Sequence, residues 1–479
     1  LKNNKNCKTF VFEFDENEIV LNDMGSIKKL YYSDEWNHYL FSKIIEYFEN
    51  NNKSSDIEIV RNKARKISNF NKFSFRELIK LKLNKFSNLF EKEDLNQNHL
   101  FYNSYINNNL TEKIIENLKY VKKYKKPFDI NKVKNFKINN NIRKKIKIKF
   151  NYKNDNDFEK FIIKFLPFNI PKIYLEGFNY LKKESTNLFY RNKYKSITTA
   201  TAHYFDDIFK YFLANQIDDG CKLIINQHGG SFGMLKWFQF EDHAISVSDF
   251  FLTWGWKYND ENKIIPMTFN KLSNKMNIKY NQNGGILNVL SGIEPYPLSI
   301  DSKPYNSLNQ KSYYEIEQVN FYKNLNTKLQ KLTTFRLYPN LYSPNEEKLF
   351  NKELSDLKID KNKNLYSSMN ENQLFVGTSN STAYLEALYF NYPTVCFWNS
   401  NNWEVNNNFK DLFFALKETN ILHENASSAS SFINMIWNDL LDWWNSKNNQ
   451  KILKEFKNCY FSESKDETSK WLTFYKNIT

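Results

Sequence analysis

Three loops of this 479-residue chain combine residue types that can bind and transfer an activated group. The first spans residues 227–233, where glycines flank His228. Gly229 and Gly230 allow a backbone to approach a ligand closely, and an exposed imidazole titrates near neutrality, which suits proton transfer. We therefore predict that His228 is catalytic, as a general base or as a contact to the leaving group. The alternative is a turn whose histidine only caps a neighbouring helix.

The second loop lies within residues 373–399, a stretch with the pattern strand, turn, helix, strand. Its turn follows a short apolar run at residues 374–376 that is typical of a buried parallel strand. Open α/β sheets bind ligands at that end of a strand, and N–H groups at a helix start suit a phosphate. We predict that the hydroxyl residues of this turn bind a donor nucleotide: Thr378, Ser379, Ser381 and Thr382. An ordinary capped helix is the alternative.

Two charged residues extend this predicted donor site. Arg336 lies in the third loop, residues 335–339, where a predicted strand ends in the sequence Arg-Leu-Tyr-Pro, and a guanidinium is a rigid fork for phosphate. Its alternative is an ion pair with a carboxylate. Glu386 lies one helical turn beyond Thr382 and can accept a hydrogen bond from a ribose or sugar hydroxyl. Its alternatives are a surface position or an internal ion pair.

Weaker signals come from Trp256 and Glu294, which also stand at predicted strand ends. An indole can stack on a sugar ring and a carboxylate can act as a base, so we predict acceptor or sugar contacts here, with core packing as the default for the tryptophan. The sequence contains no Walker A, GxGxxG, HExxH or GxSxG motif. We therefore predict no metal site and no cofactor, only a co-substrate.

Composition places the chain among globular proteins, with 41% hydrophobic and 17% aromatic residues, enough for two or three domains. The net charge of +15 suits nucleic acid or an anionic membrane. However, the abundance of lysine and asparagine is typical of an AT-rich genome, and we predict no nucleic-acid partner. The basic runs at residues 122–126 and 143–149 are expected to be solvated faces, with peripheral contact with the inner-membrane surface as the alternative.

The four cysteines are scattered and form no zinc-binding pattern, which favours reduced thiols in a cytoplasmic protein. No apolar run reaches the roughly 18 residues that a membrane span needs. The first residue is Leu1 and not methionine, so a preceding targeting segment stays open. We expect a cytoplasmic protein, with a position on the inner face of the cytoplasmic membrane as the variant.

The elements that must position these loops alternate between strands and helices, which indicates parallel sheets with right-handed crossovers. Strands are predicted at residues 195–199, 222–226, 248–256, 286–290 and 333–337, and helices at 204–218 and 312–332. Turn residues at 281–285 mark the main boundary. We predict an acceptor-side domain at 1–282 with a helical insertion near 60–165, a nucleotide-sugar domain at 283–425, and C-terminal helices at 426–479 that pack across both.

Four stretches, taken in order, resemble a family of bacterial transferases found among O-antigen and surface-carbohydrate genes. They are residues 227–233, 249–256, 336–339 and 377–398. The resemblance implies an α/β, GT-B-like fold: two Rossmann-like domains facing a cleft, with extra N-terminal helices and a C-terminal helical tail. The layout is also similar to that of enzymes using CMP-activated nonulosonic acids or Kdo, in which a His-Pro motif and a Ser/Thr-rich helix start hold the nucleotide.

The resemblance implies a metal-independent glycosyltransferase of surface polysaccharide, O-antigen or lipopolysaccharide synthesis. The donor would be a nucleotide-activated sugar, for example a CMP-activated acidic sugar, and the acceptor a glycan or lipid-linked glycan. His228 would act across the cleft from the donor. Two alternatives remain open: a CDP-alcohol phosphotransferase of the teichoic-acid type, and a non-enzymatic carbohydrate-binding protein.

Overall fold

The structure is a computed structural model. It describes residues 7–31, 33–51, 57–63, 98–118, 121–124, 135–148, 156–188, 193–258, 261–271, 278–292, 296, 301–302, 308–338, 346–354, 356–462 and 466–478. Residues 64–97 of the predicted helical insertion and Glu294 lie outside these ranges. None of the helices in the described ranges combines the length and apolar character of a membrane span.

The chain divides into two compact units. The first comprises residues 1–103, 120–197 and 201–221, and the second residues 104–119, 198–200 and 222–479. The predicted domain boundaries, at 282/283 and 425/426, stay predictions.

The strands of the described residues are arranged in parallel sheets. They are β1 (Cys7–Glu13), β2 (Ile57–Lys63), β3 (His99–Tyr102), β4 (Val121–Tyr124), β5 (Ser196–Thr199), β6 (Lys222–Asn226), β7 (Phe250–Thr253), β8 (Ile264–Pro266), β9 (Gly285–Val289), β10 (Thr333–Arg336), β11 (Lys358–Ile359), β12 (Asn372–Gly377), β13 (Thr394–Phe397) and β14 (Leu422–His423). The sheet orders are β1-β2, β4-β3-β5-β6-β7-β8 and β11-β10-β9-β12-β13-β14. The pairs β6-β7, β9-β12 and β12-β13 are parallel.

Helices connect most of these strands. The α-helices are Glu16–Ile19, Ile27–Tyr31, Asp34–Asn51, Asn108–Asn117, Asn140–Arg143, Asp157–Asn169, Phe178–Leu188, Ala202–Phe205, Asp207–Asp218, Gln239–Val247, Leu308–Asn324, Thr327–Leu332, Glu346–Glu353, Leu365–Glu371, Thr382–Tyr389, Lys410–Glu418, Ala426–Ile436, Leu440–Trp444, Lys447–Tyr460 and Glu467–Asn477. Short 3-10 helices are Met24–Ser26, Lys172–Tyr174, Asn407–Phe409 and Trp437–Asp439.

One hydrophobic cluster of the second unit contains residues of β12. Leu374 and Val376 point to one face of this central strand and are fully buried, as alternation along a strand requires. They pack in one cluster with Ile433 of the helix Ala426–Ile436. In the first unit a smaller cluster forms around Ile19 and Tyr39.

The predicted α/β class with parallel strands is confirmed, and so are the helices near both ends of the sequence. The single helix predicted over 312–332 is wrong in one respect, because the structure has two helices there. The first ends at Asn324, and Asn326 caps the second by accepting the N–H of Leu329. A short polar side chain at a helix start competes with continuation of the preceding helix.

Because side chains pack tightly around β12, we predict that truncating one of them leaves a cavity and lowers the free energy of unfolding. We expect Leu374→Ala to lower the free energy of unfolding by about 2–5 kcal/mol, since Leu374 is fully buried. Leu349→Ala is the control, because Leu349 is 37% exposed and should cost about 0.5 kcal/mol or less. Urea unfolding followed by tryptophan fluorescence measures both, and equal losses would contradict the central position of this strand.

Candidate functional site

Two loops meet within the second compact unit, each at the carboxyl end of a strand. The loop with His228 follows β6, and the hydroxyl-rich turn at residues 378–382 follows β12. The backbone N–H of Gly230 donates to Oγ1 of Thr382 at 2.9 Å. Two loops separated by about 150 positions along the chain are therefore joined by a hydrogen bond.

The contact at Gly230 is so close that a side chain has no room there. An added Cβ would lie 2.7 Å from Cδ1 of Leu385 and 2.8 Å from the carbonyl oxygen of Ser381. At Gly229 the nearest atoms would be 4.0 Å away, which is an ordinary contact. The glycines were predicted to admit a ligand, whereas the structure shows that Gly230 admits the start of a neighbouring helix.

That helix, Thr382–Tyr389, begins without a side-chain cap, because Ser381 at its N-cap position makes no capping hydrogen bond. Its first-turn N–H groups thus lack the usual side-chain acceptor. The side chain of Asn380 is fully buried, and among the described residues its Nδ2 has no hydrogen-bond partner. Donors at the positive end of a helix dipole favour an anion. This geometry disfavours the ordinary capped helix.

The four predicted hydroxyl groups differ in what they can still bind. Thr378 is buried, and its Oγ1 donates to the carbonyl oxygen of Val289 at 2.9 Å. Ser379 is buried, and its Oγ donates to Oγ of Ser381 at 3.0 Å. Ser381 and Thr382 are only half-buried. The first two residues therefore shape the turn, and the last two are better placed to meet a ligand.

A buried amide holds the histidine loop in place. Gln227 is fully buried, and its Nε2 donates to the carbonyl oxygen of Gly229 at 2.8 Å. Its Oε1 accepts the backbone N–H of Trp254 at 2.9 Å and the indole N–H of Trp256 at 2.8 Å. Since a buried amide is costly unless its donors and acceptors are paired, these bonds restrict the backbone on both sides of His228.

Tyr460, the last residue of the helix Lys447–Tyr460, adds further hydrogen bonds to the histidine loop. Its hydroxyl accepts from Nε2 of Gln227 at 3.0 Å. The same oxygen lies 3.1 Å from the carbonyl oxygen of Gly230 and 2.7 Å from that of Phe232. Burial raises the pKa of Tyr460 well above its ordinary value. The phenol therefore keeps its proton and donates it to the loop carbonyls.

The imidazole of His228 is half-buried between two aromatic rings. Its centroid lies 5.0 Å from that of Phe232, edge-on, and 5.6 Å from that of Tyr105. Tyr105 is 54% exposed, so this side of the imidazole borders the protein surface. His228 is thus not enclosed in the core, and its predicted role in proton transfer stays a prediction.

A buried carboxylate supports the end of the same loop. Oε2 of Glu241 accepts the N–H of Gly233 at 2.5 Å, and Oε1 accepts the hydroxyl of Tyr258 at 2.6 Å. Burial raises the pKa of Glu241 to about 7, although the bonds from Tyr258 and Gly233 oppose this shift. Gly233 has φ +77°, and a Cβ there would lie 2.6 Å from the ring of Trp256. Only glycine fits this position without strain.

One nitrogen of the half-buried Arg336 side chain is held by an ion pair. Its Nη1 pairs with Oδ2 of Asp360, and it also donates to the carbonyl oxygen of Asn362 at 3.0 Å and to Oγ of Ser368 at 3.1 Å. Burial alone would raise the pKa of Asp360, but hydrogen bonds from Ser368 and Asn362 and the guanidinium charge hold it below its usual value. The geometry favours the ion-pair alternative for Nη1, and the predicted donor contact of Arg336 stays a prediction.

Both carboxylate oxygens of Glu386 are likewise bonded to other side chains of the protein. It is buried, its Oε1 pairs with Nζ of Lys271, and its Oε2 accepts the hydroxyl of Tyr366 at 2.8 Å. Burial and the charge of Glu386 raise the pKa of Tyr366, so the phenol remains a donor. This arrangement favours the internal ion pair over the predicted contact with a sugar hydroxyl.

The predicted sugar contact at Trp256 is corrected by its burial. The residue is 1% exposed, and its N–H is bonded to Gln227. Its ring therefore belongs to the core, where it supports the histidine loop. Glu294, the other predicted contact, lies outside the described residues.

Sequence reasoning missed three residues that shape the site: Gln227, Tyr460 and Glu241. A polar residue directly after the buried strand Lys-Leu-Ile-Ile-Asn is a usable signal for the first of them. The other two are revealed only by tertiary contacts, since neither stands in a recognisable motif.

Comparison with known proteins adds a family. Residues 1–474 match the LIC12162 family transferase. No match was found among proteins of curated function.

Three solved structures show distant similarity, each at 10% sequence identity. S. aureus MnaA in complex with UDP has a TM-score of 0.43, with 80% of this chain and 98% of that chain covered. The wall teichoic acid polymerase TagF has a TM-score of 0.35, with 63% and 85% covered. Acinetobacter baumannii MurG has a TM-score of 0.30, with 64% and 78% covered. Similarity at this level does not assign a function.

Because Gly230 packs closely against the helix start and Gly229 does not, we predict that alanine destabilises the protein at position 230 and not at position 229. We expect Gly230→Ala to lower the thermal unfolding midpoint, because the new Cβ must push the loop and the helix apart. Gly229→Ala should leave the midpoint within about 1 °C of the wild type, since its Cβ makes only ordinary contacts. Equal effects of the two substitutions would contradict this packing.

The environment of Glu241 predicts a pH-dependent stability. An ordinary pKa of 4.5 applies to the unfolded chain and one of about 7 to the folded chain. Between these values Glu241 keeps a proton in the folded state that it has released in the unfolded state, so its contribution to the free energy of unfolding falls as pH rises from 4.5 to 7.

The variant Glu241→Gln cannot ionise and should lose this contribution to the fall. Urea unfolding between pH 5 and 7.5 measures the slope, and Glu418→Gln, at an exposed position, is the matched control. A Glu241→Gln variant with the wild-type slope would refute the assignment.

Proposed function

The chain belongs to the LIC12162 transferase family, and we propose that it is a glycosyltransferase that uses a nucleotide-activated sugar. The donor phosphates would bind at the turn formed by residues 378–382 and at the helix start behind it. His228 would serve the reacting hydroxyl or the leaving group. No bound metal ion is required in this proposal, because N–H and hydroxyl donors face the phosphate charge.

The observation that carries this proposal is the hydrogen bond from Gly230 to Thr382. It fixes the histidine loop beside an uncapped helix start within one compact unit. In this proposal the proton-transfer group and the anion-binding group would be close neighbours. Sugar transfer from a nucleoside phosphate needs both, since negative charge develops on the departing phosphate while the acceptor hydroxyl loses a proton.

In this proposal the hydroxyl groups of Thr382 and Ser381 donate hydrogen bonds to the phosphate. Oγ1 of Thr382 accepts from Gly230, so its own hydrogen is available to donate to a phosphate oxygen. Ser381 accepts from Ser379 and can donate in the same way.

The proposed reaction is a substitution at the anomeric carbon. The acceptor hydroxyl attacks this carbon as His228 takes up its proton, and the bond from the sugar to the phosphate oxygen breaks. The electron pair of that bond remains on the nucleotide phosphate, where the helix start stabilises it. The buried amide of Gln227 and the hydroxyl of Tyr460 keep the histidine loop from moving away.

The finer assignments are part of the same proposal. The acceptor is a glycan or lipid-linked glycan of a bacterial surface polysaccharide, such as O-antigen, and the reaction takes place on the cytoplasmic side of the membrane. A GT-B arrangement of two domains facing a cleft suits the parallel α/β sheets. The donor is expected to be a CMP-activated acidic sugar.

A thermal-shift screen without added metal tests the nucleotide site, using CMP, CDP, UDP, GDP and dTDP. A ligand that binds only the folded state stabilises it by about 2.7 kcal/mol at a hundredfold excess over Kd. We expect a shift with CMP, which Thr382→Val should abolish and Thr382→Ser should keep. A shift with another nucleotide would replace the CMP donor, and no shift with any of them would overturn the proposed function.

A second prediction concerns the histidine. Once a donor is identified, His228→Asn should lower kcat by about 10²–10⁴-fold, the usual contribution of a general acid or base, with donor affinity nearly unchanged. His243→Asn, the same substitution on an exposed helix position, is the control. Loss of affinity in step with turnover would point to a binding protein and not to a catalytic histidine.

A further inference from the structure

A pocket lies along the helix Lys447–Tyr460 in the second compact unit, and no residue of the two loops at 227–233 and 378–382 lines it. Its free space is about 580 Å³, and it opens to the surface. Pockets that bind small molecules hold about 300–1,000 Å³, so a ligand of one or two sugar rings has room here. We call it the lysine pocket, after Lys454 and Lys457 in its wall.

The wall of the lysine pocket is positively charged. Lys454 is exposed and Lys457 is half-buried, and their spacing of three positions puts both side chains on one face of the helix. Among the described residues that line this pocket, none is acidic. Ser462 lines it too, and its Oγ accepts from Nζ of a third lysine, Lys470, at 3.0 Å. Cations grouped in a wall without a carboxylate favour an anionic ligand.

Amide groups supply polar contacts of a different kind in the same wall. Asn391 and Gln450 line the pocket. Nε2 of Gln450 donates to the carbonyl oxygen of Trp444 at 2.9 Å and to Oδ1 of Asn391 at 3.3 Å. These bonds leave Nδ2 of Asn391 as a donor and Oε1 of Gln450 as an acceptor for a ligand. A donor beside an acceptor suits the hydroxyl groups of a sugar, since each hydroxyl both donates and accepts.

The segments around the lysine pocket also hold the histidine loop. The helix that carries both lysines ends at Tyr460, whose hydroxyl is bonded to this loop. The backbone N–H of Ser462 donates to the carbonyl oxygen of Trp254 at 2.9 Å, and the N–H of Trp254 is in turn bonded to Gln227. A ligand bound against this wall therefore contacts the supports of the histidine loop directly.

We propose that the lysine pocket binds a sugar with an acidic substituent, a carboxylate or a phosphate, and that the bound sugar restrains the histidine loop. The ammonium groups of Lys454 and Lys457 bind the acidic group, because a charge-assisted hydrogen bond is stronger than a neutral one. The amides of Asn391 and Gln450 bind the ring hydroxyls. This site is additional to the proposed nucleotide site and does not depend on it.

Calorimetric titration of the whole protein with glucuronate, glucose 6-phosphate, glucose and inorganic phosphate tests this site. Glucuronate or glucose 6-phosphate should bind about tenfold or more tightly than glucose and inorganic phosphate, because only the first two carry both an acidic group and ring hydroxyls. The tighter of the two identifies the acidic group as a carboxylate or a phosphate. The bound sugar should also slow hydrogen exchange of the backbone N–H groups at residues 227–233 by about threefold or more.

Two variants locate the ligand in the lysine pocket. Lys454→Met should weaken binding about tenfold, the loss expected for one hydrogen bond to a charged group. Asn391→Gly removes the amide and suits the left-handed backbone, since Asn391 has φ +52°. It should weaken binding about fivefold. Lys447→Met is the control, because Lys447 is exposed in the first turn of the same helix and does not line the pocket.

Four results would overturn the proposal. Absence of binding by both acidic sugars, or equally tight binding of inorganic phosphate, would exclude a site for an acidic sugar. Undiminished binding in folded Lys454→Met and Asn391→Gly variants would place the ligand outside the pocket. Displacement of the sugar by CMP would place it at the nucleotide turn. Unchanged hydrogen exchange at residues 227–233 in the saturated protein would refute the effect on the histidine loop. The nucleotide screen tests the proposed function separately from all of these.

Discussion

The geometry of the site depends on the buried side chain of Gln227. Its amide is bonded to the histidine loop, to the strand end at Trp254 and to the phenol of Tyr460. A glycine-rich loop has many conformations in the unfolded chain, and holding one of them costs conformational entropy. Bonds that are fully shielded from water can offset this cost, because breaking any one leaves a buried polar group unpaired.

The strand, turn, helix and strand at residues 373–399 could be predicted from sequence, and the structure has β12, the helix Thr382–Tyr389 and β13 there. Their signals are local: an apolar run, small hydroxyl residues and good helix formers within a few positions of one another. The strand of residues 222–226 was predicted with the bounds that the structure shows. The pattern of apolar residues therefore predicted the two strands, β6 and β12, that the two loops follow.

Side-chain partners could not be predicted in the same way. Arg336 looked available because its partner, Asp360, belongs to another strand end. Glu386 is paired with Lys271, 115 positions away, and nothing near either residue indicates the pairing. Trp256 was expected to face a sugar, but its burial follows from the packing of Gly233 and Gln227 against its ring. Strand-end position identifies candidates, and tertiary pairing decides which of them remain available to a ligand.

The hydrogen bonds between Tyr460 and the histidine loop have a consequence for the order in which the protein folds during synthesis. The two bonded residues, Gln227 and Tyr460, are 233 positions apart. During synthesis the histidine loop therefore leaves the ribosome long before its last support exists, and long-range contacts of this kind form late and slowly. A nascent chain that has folded β6 and β7 still lacks a rigid histidine loop. The histidine loop is therefore held in its final conformation only after the segment that carries Tyr460 has been synthesised and packed.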